Sequence, residues 1–209
     1  DPQHVVPVIA IPTTAGTGSE VGRAALIVNE TEQRKVIIFH PRMLPEHVIL
    51  DPELTTGLPS GLTAATGMDA LSHCLEAYCS TYYHPMAEAI AMEGISLVKT
   101  YLPQVVADGA NIESRQQMLV ASTMGATAFQ RGLGAMHALA HPLGAVYDAH
   151  HGMLNAILMP YVLKANYKVI QKPIIRLARC LELAPNFDAF MDWVLALRTE
   201  IGIPHSLAT

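Results

Sequence analysis

The spacing of apolar residues changes at TTGLPSG, residues 55–61. Before it, apolar residues come in short β-branched runs broken by turn residues. Beyond it, they recur three and four positions apart. A chain with that switch is confined to a small strand-bearing part followed by a helical one. VVPVIAIP (5–12) reads as a buried strand ended by proline. AALIV (24–28) and KVIIF (35–39) flank the polar turn NETEQR and read as a hairpin; HVIL (47–50) reads as a further strand, closed by Asp51 and Pro52. Past the switch, Ile174, Leu177, Ala178 and Leu181 share one helix face. Phe190, Trp193, Val194, Leu197 and Ile201 share another, and Gly202 with Pro204 supplies the stop. The expected division is 1–58 and 59–209. A short open β layer would leave its sheet edges bare, so the chain reads as a fragment of a longer protein.

Composition narrows the function classes. Of 209 residues, 51% are hydrophobic and 15% charged, which suits a buried core rather than disorder. A net charge of −5 speaks against a nucleic-acid partner. No apolar run approaches the ~18 residues of a membrane span, and no signal-peptide pattern opens the chain. The cysteines are Cys74, Cys79 and Cys180, an odd number without a CxxC pair. No disulfide framework is expected, in a reducing cytoplasm, and Cys74 and Cys79 are expected to pack as small apolar residues.

Histidine is the unusual residue. There are ten, and His137, His141, His150 and His151 crowd into GLGAMHALAHPLGAVYDAHHG (132–152). A second cluster is GMDALSHCLEAY (67–78), where Asp69 and His73 stand four apart. Residues so spaced on a helix lie ~6 Å apart on one face. One acid and several neutral imidazoles on separate helices suit a divalent transition metal, and the lack of cysteines at ligand spacing disfavours a structural thiolate zinc site. Pro142 is expected to end a helix at His141, with His151 opening the next. Spacing alone leaves open which histidines of the second cluster bind.

Those two stretches, with IPTTAGTGSEV (11–21) and DPELTTGLPSGLTAATG (51–67), resemble the iron-dependent, or group III, alcohol dehydrogenases. The resemblance runs over nearly the whole chain and is least distinctive in the final forty residues. It implies an α/β plus all-α fold: part of an N-terminal α/β dinucleotide-binding domain (1–58), then an all-helical metal-binding domain (59–209), incomplete at its C-terminus. It implies Asp69, His73, His137 and His151 as metal ligands, and His141 as a residue near substrate. It sets Thr13, Thr14 and Thr17 along the nicotinamide cofactor, Lys35 as a basic residue near it, and Leu54 and Leu58 in the wall of its pocket. The family's glycine-rich pyrophosphate loop has no counterpart here, and Gly22 stands where threonine is common.

The expected activity is hydride transfer between a small alcohol or aldehyde and NAD or NADP, assisted by Fe2+ or Zn2+ acting as a Lewis acid. His141 is expected to relay the alcohol proton. The alternatives are a dehydroquinate-synthase-like metal-dependent lyase and a metal-binding domain without activity. Expected partners are a small alcohol or aldehyde, with no membrane and no nucleic acid; homo-oligomerisation stays open.

Overall fold

The computed structural model describes residues 6–31 and 34–207. Four strands come first. β1 (Ile9–Ala10) pairs in parallel with β4 (His47–Val48). β2 (Ala24–Asn29) and β3 (Arg34–Phe39) form an antiparallel hairpin in which Asn29 faces Arg34 and Ala24 faces Phe39. The hairpin matches its expected extent within a residue. The other two strands are far shorter than 5–12 and 47–50, because each has only the other to pair with among the described residues. Their apolar side chains stay open: Ile9, Ile11, Val48 and Ile49 are all exposed.

A 3-10 turn, Pro52–Thr55, leads into the helices, with the Asp51 side chain capping it by accepting from the Glu53 N–H at 3.0 Å. Among the described residues, seven α-helices follow: α1 (Ser60–Cys79), α2 (Pro85–Ala107), α3 (Ile112–Ala128), α4 (Ala135–Tyr147), α5 (His151–Ala165), α6 (Tyr167–Cys180) and α7 (Phe187–Glu200). α1 is the hub. Its residues from Thr63 to Tyr78 are nearly all buried, against α2, α3 and α5. A helix with apolar residues on every side is stable only when enclosed, and its buried polar side chains then need partners. Met68, Leu71 and Leu75 are fully buried, and each stabilises the fold by roughly 1.5–3 kcal/mol. The neighbours come close because glycines face α1. A Cβ on Gly94 of α2 would stand 2.6 Å from Cys74 Sγ, and one on Gly125 of α3 would stand 3.2 Å from the Ala70 carbonyl oxygen.

The later helices follow the apolar spacing. Ile174, Leu177 and Ala178 bury one face of α6; Phe190, Val194 and Leu197 bury one face of α7. α7 ends as Gly202 and Pro204 require. Gly202 adopts φ +75°, its N–H reaches the Thr199 carbonyl, and the Ile203 N–H reaches the Arg198 carbonyl at 2.8 Å.

A second expectation fails in the helices. Pro142 does not end a helix at His141: α4 runs through it to Tyr147. A helical proline leaves the carbonyl four residues earlier without its donor. Here that carbonyl belongs to Ala138, and both Ala138 and Pro142 are exposed, so water can take the donor's place.

Candidate metal centre

α1 presents Asp69, His73 and Glu76 along one stripe, at i, i+4 and i+7. All three are buried. α4 brings His137 in its first turn, and α5 brings His151 as its first residue and Asn155 one turn later. α5 can lie against α1 because its second residue is glycine. A Cβ on Gly152 would stand 2.3 Å from the Ala65 carbonyl oxygen and 3.2 Å from Asp69 Cβ.

Three ligand atoms converge. Asp69, His137 and His151 each offer one, all within 4.8 Å of one another. His151 Nε2 lies 3.6 Å from Asp69 Oδ1, and His137 Nε2 lies 3.8 Å from it. These are too long for hydrogen bonds. They are close to the roughly 3.4 Å edge between two donors that each stand ~2.1 Å from one tetrahedral ion. The Asn155 amide reaches into the group: its Nδ2 donates to Asp69 Oδ1 at 2.8 Å and lies 3.2 Å from both His137 Nε2 and His151 Nε2. The amide has two N–H groups and one goes to Asp69, so the other can meet a lone pair on one of the two rings, the form in which imidazole binds a metal.

His73 lies beside this group rather than within it. Its ring stacks on His137, with centroids 4.6 Å apart, and tilts against Phe129 at 5.0 Å. Its Nδ1 is buried without a hydrogen-bond partner, a costly state for a polar atom unless a ligand satisfies it. Its pKa is pushed down to about 4. Burial is the main cause; the Asp69 charge opposes it, His137 adds to it, a backbone hydrogen bond with Gly16 opposes it and His151 adds to it. The ring is therefore neutral at physiological pH. A carboxylate, neutral imidazoles and an orphaned ring nitrogen fit a divalent cation.

His141 is exposed on α4. Its ring stacks on His151 at 5.2 Å and stands edge-on to His137 at 5.9 Å. It is not among the three residues whose ligand atoms converge, although α4 continues through it.

The expected cofactor loop packs against α1 and α3, with Gly16 on Thr66 and Gly18 on Ala126. Thr13, Thr14 and Thr17 are exposed on a loop whose glycines are buried. Gly18 has φ +64°, and a Cβ there would meet Ala126 Cβ at 2.4 Å and the Ser122 carbonyl oxygen at 2.6 Å, so the loop lies flat on α3. Buried Glu20 anchors its far end by accepting from Thr123 Oγ1 at 2.6 Å. Leu58 joins Ala15, Thr63 and Thr66 in lining a small cleft beside this loop, separate from the Asp69 cluster; Leu54 is half exposed outside it. The Lys35 side chain lies outside the described residues.

Glu76 and Asn155 escaped the sequence reading, and so did Glu20. The first two had a spacing signal: Glu76 is seven after Asp69, and Asn155 is four after His151. Glu76 takes three donors, with Oε2 accepting from the Gly134 N–H at 2.8 Å and His137 Nδ1 at 2.7 Å, and Oε1 from the Met136 N–H at 2.6 Å. Burial pushes its pKa up, but the hydrogen bonds from His137, Gly134 and Met136 outweigh it and hold the carboxyl below its ordinary value.

Comparison with known proteins shows the family. Residues 63–209 match the model described as "Fe-containing alcohol dehydrogenase family, C-terminal", and residues 1–52 match "Iron-containing alcohol dehydrogenase". The chain belongs to the iron-containing alcohol dehydrogenase family. It is 41% identical to 4-hydroxybutyrate dehydrogenase of Cupriavidus necator, over 96% of this chain and 54% of that protein. It is 46% identical to 1,3-propanediol dehydrogenase of Klebsiella pneumoniae, over 96% of this chain and 54% of that one. Its fold superposes on a crystal structure of 1,3-propanediol oxidoreductase with a TM-score of 0.92 at 39% identity, covering 96% of this chain and 55% of that one. A sulfoacetaldehyde reductase from Bifidobacterium kashiwanohense, solved in complex with NAD+, gives 0.92 at 33% identity, covering 99% and 55%. The chain thus spans about half the length of the relatives it matches. Among the described residues, no helix is long and apolar enough to cross a membrane.

Proposed function

We propose that this chain carries the metal-binding helices and part of the cofactor-binding region of an NAD(P)-dependent alcohol dehydrogenase acting on small primary alcohols and their aldehydes. The convergence of Asp69, His137 and His151 from three helices carries this reading. Asp69, His73, His137 and His151 would hold the ion, Fe2+ by family and Zn2+ where zinc competes for such nitrogen and oxygen ligands. The ion supplies Lewis-acid polarisation of the substrate oxygen. In this reading residues 1–58 serve the cofactor and 59–209 the metal. Three free thiols suit a cytoplasmic setting.

The side chains set the remaining tasks. Asp69 provides the one negative charge within the ligand cluster. His141, exposed and stacked on His151, is placed to take the hydroxyl proton and pass it to water. Thr13, Thr14 and Thr17 offer hydroxyls from a loop whose Gly16 packs against Thr66 of α1. Cofactor and substrate would then be aligned by the same helix, which is the protein's part in hydride transfer. The relatives' names point to primary alcohols bearing a second polar group, such as 1,3-propanediol and 4-hydroxybutyrate.

The test is NADH absorbance with these two alcohols and ethanol, using the full-length protein before and after chelation. NADH formation that stops on chelation and returns with Fe2+ or Zn2+ is the expected result. Full turnover by metal-stripped protein would overturn the reading.

A further inference from the structure

The Glu76 carboxylate sits where two requirements of the site meet. The first is the tautomer of His137. Ionised carboxylate only accepts hydrogen bonds, so in the 2.7 Å contact between Glu76 Oε2 and His137 Nδ1 the proton belongs to the ring. The neutral ring then has its lone pair on Nε2. The opposite edge is compatible with this. Asp69 Oδ1 accepts at 2.8 Å, so the Asn155 group facing it is the amide nitrogen, whose second N–H can reach a lone pair on His137 Nε2 or on His151 Nε2, each at 3.2 Å.

The second requirement is the position of α4. Its N-cap residue is Gly134, which has no side chain to satisfy the first free N–H groups. Glu76 accepts from two of them, Gly134 and Met136. It thus ties the first turn of α4, where His137 stands, to the helix that bears Asp69. A Cβ on Gly134 would stand 2.9 Å from Glu76 Oε1, so glycine there lets the carboxylate close on the helix end.

We propose that Glu76 is a positioning residue that anchors the start of α4 and fixes His137 as its Nδ1–H tautomer, so that the Nε2 lone pair points into the Asp69–His151 cluster. The proposal rests on reading that cluster as a metal site. A hydrogen-bonded carboxylate behind a ligating imidazole orients the ring and strengthens it as a ligand, and losing such a partner typically lowers metal affinity about 10–100-fold.

The test compares full-length parent protein with Glu76→Gln. Glutamine keeps the shape but has a single acceptor oxygen, and its NH2 must face an N–H. Two quantities are read: the His137 tautomer, by 15N histidine NMR of metal-free protein, and Co2+ affinity, by competition with a chelator. The parent should show the Nδ1–H form. The variant should unfold cooperatively, lose that single tautomer and bind Co2+ about 10–100-fold more weakly. Parent protein in the Nε2–H form, or a folded variant that binds Co2+ as tightly as the parent, overturns the proposal. A variant less stable but unchanged in affinity also overturns it, since Glu76 would then be a helix cap only. Should the variant not fold, the parent's tautomer decides. Parent protein that binds no Co2+ would sink the metal reading, while its tautomer would still report on Glu76.

Discussion

Asp51 and Asp69 differ only in what surrounds them. Asp51 caps a 3-10 turn through one hydrogen bond to the Glu53 N–H. Asp69 is buried between two imidazoles and a carboxamide. Asp51→Asn should cost at most about 1 kcal/mol, the scale of a lost cap, and leave metal content unchanged. Asp69→Asn removes the only anion among the proposed ligands, and the purified variant should hold far less metal. Elemental analysis of both variants checks this, and equal content would count against Asp69 as a ligand. At this scale much was legible. Asp69, His73, His137, His141 and His151 stand at helical spacings, and the family resemblance sorted them. Glu76 and Asn155 were not, because an acid or amide on a helix says nothing of which neighbour it will meet. Their roles come from the α4 and α5 termini that α1 happens to face.

Glycine spacing decides how closely the helices approach. Gly152 and Gly61 are both helical, yet a methyl group on each meets different surroundings. At Gly152 it would press into the Ala65 carbonyl at 2.3 Å; at Gly61 nothing lies within 4 Å. Gly152→Ala should therefore force α5 off α1, costing about 1–3 kcal/mol by overpacking, and should weaken metal binding because His151 and Asn155 move with it. Gly61→Ala should stabilise the protein by about 0.4–1 kcal/mol through the unfolded chain. Urea unfolding of the two variants, with Co2+ titration, checks both signs. A stable Gly152→Ala protein with parental affinity would show that the α1–α5 approach does not set the site. Helix existence was readable from apolar period, and α7's end from Gly202. Pro142 misled because the reading weighed the lost N–H without knowing that the freed carbonyl faces water. The strands 5–12 and 47–50 misled in the opposite direction: β-branched runs propose strands, but only a partner extends them.

In the whole molecule, stability is concentrated around α1, and its C-terminal end carries a pH liability. Cys74, Tyr78 and Cys79 are stacked there. Burial pushes both thiols from an ordinary 9.0 up to about 12, with Arg131 opposing and Glu76 reinforcing the shift at Cys79. Burial likewise pushes the Tyr78 phenol from 10.0 to about 12, against the nearby Arg176. In each case the folded value lies above the unfolded one. The resulting stability is fully present below pH 9 and is lost as pH rises toward 12, because only the unfolded chain releases these protons in that window. Each group contributes up to about 1.4 kcal/mol per pH unit. The metal-free protein should therefore lose stability steeply above pH 9, although its core is apolar. Replacing both Cys74 and Cys79 by alanine should lower stability at pH 8 by the lost packing, yet flatten the decline between pH 9 and 11. Urea unfolding at successive pH values measures both slopes. Parallel declines in parent and double variant would mean that the thiols reach solvent in the folded state, and that α1 is not sealed at that end.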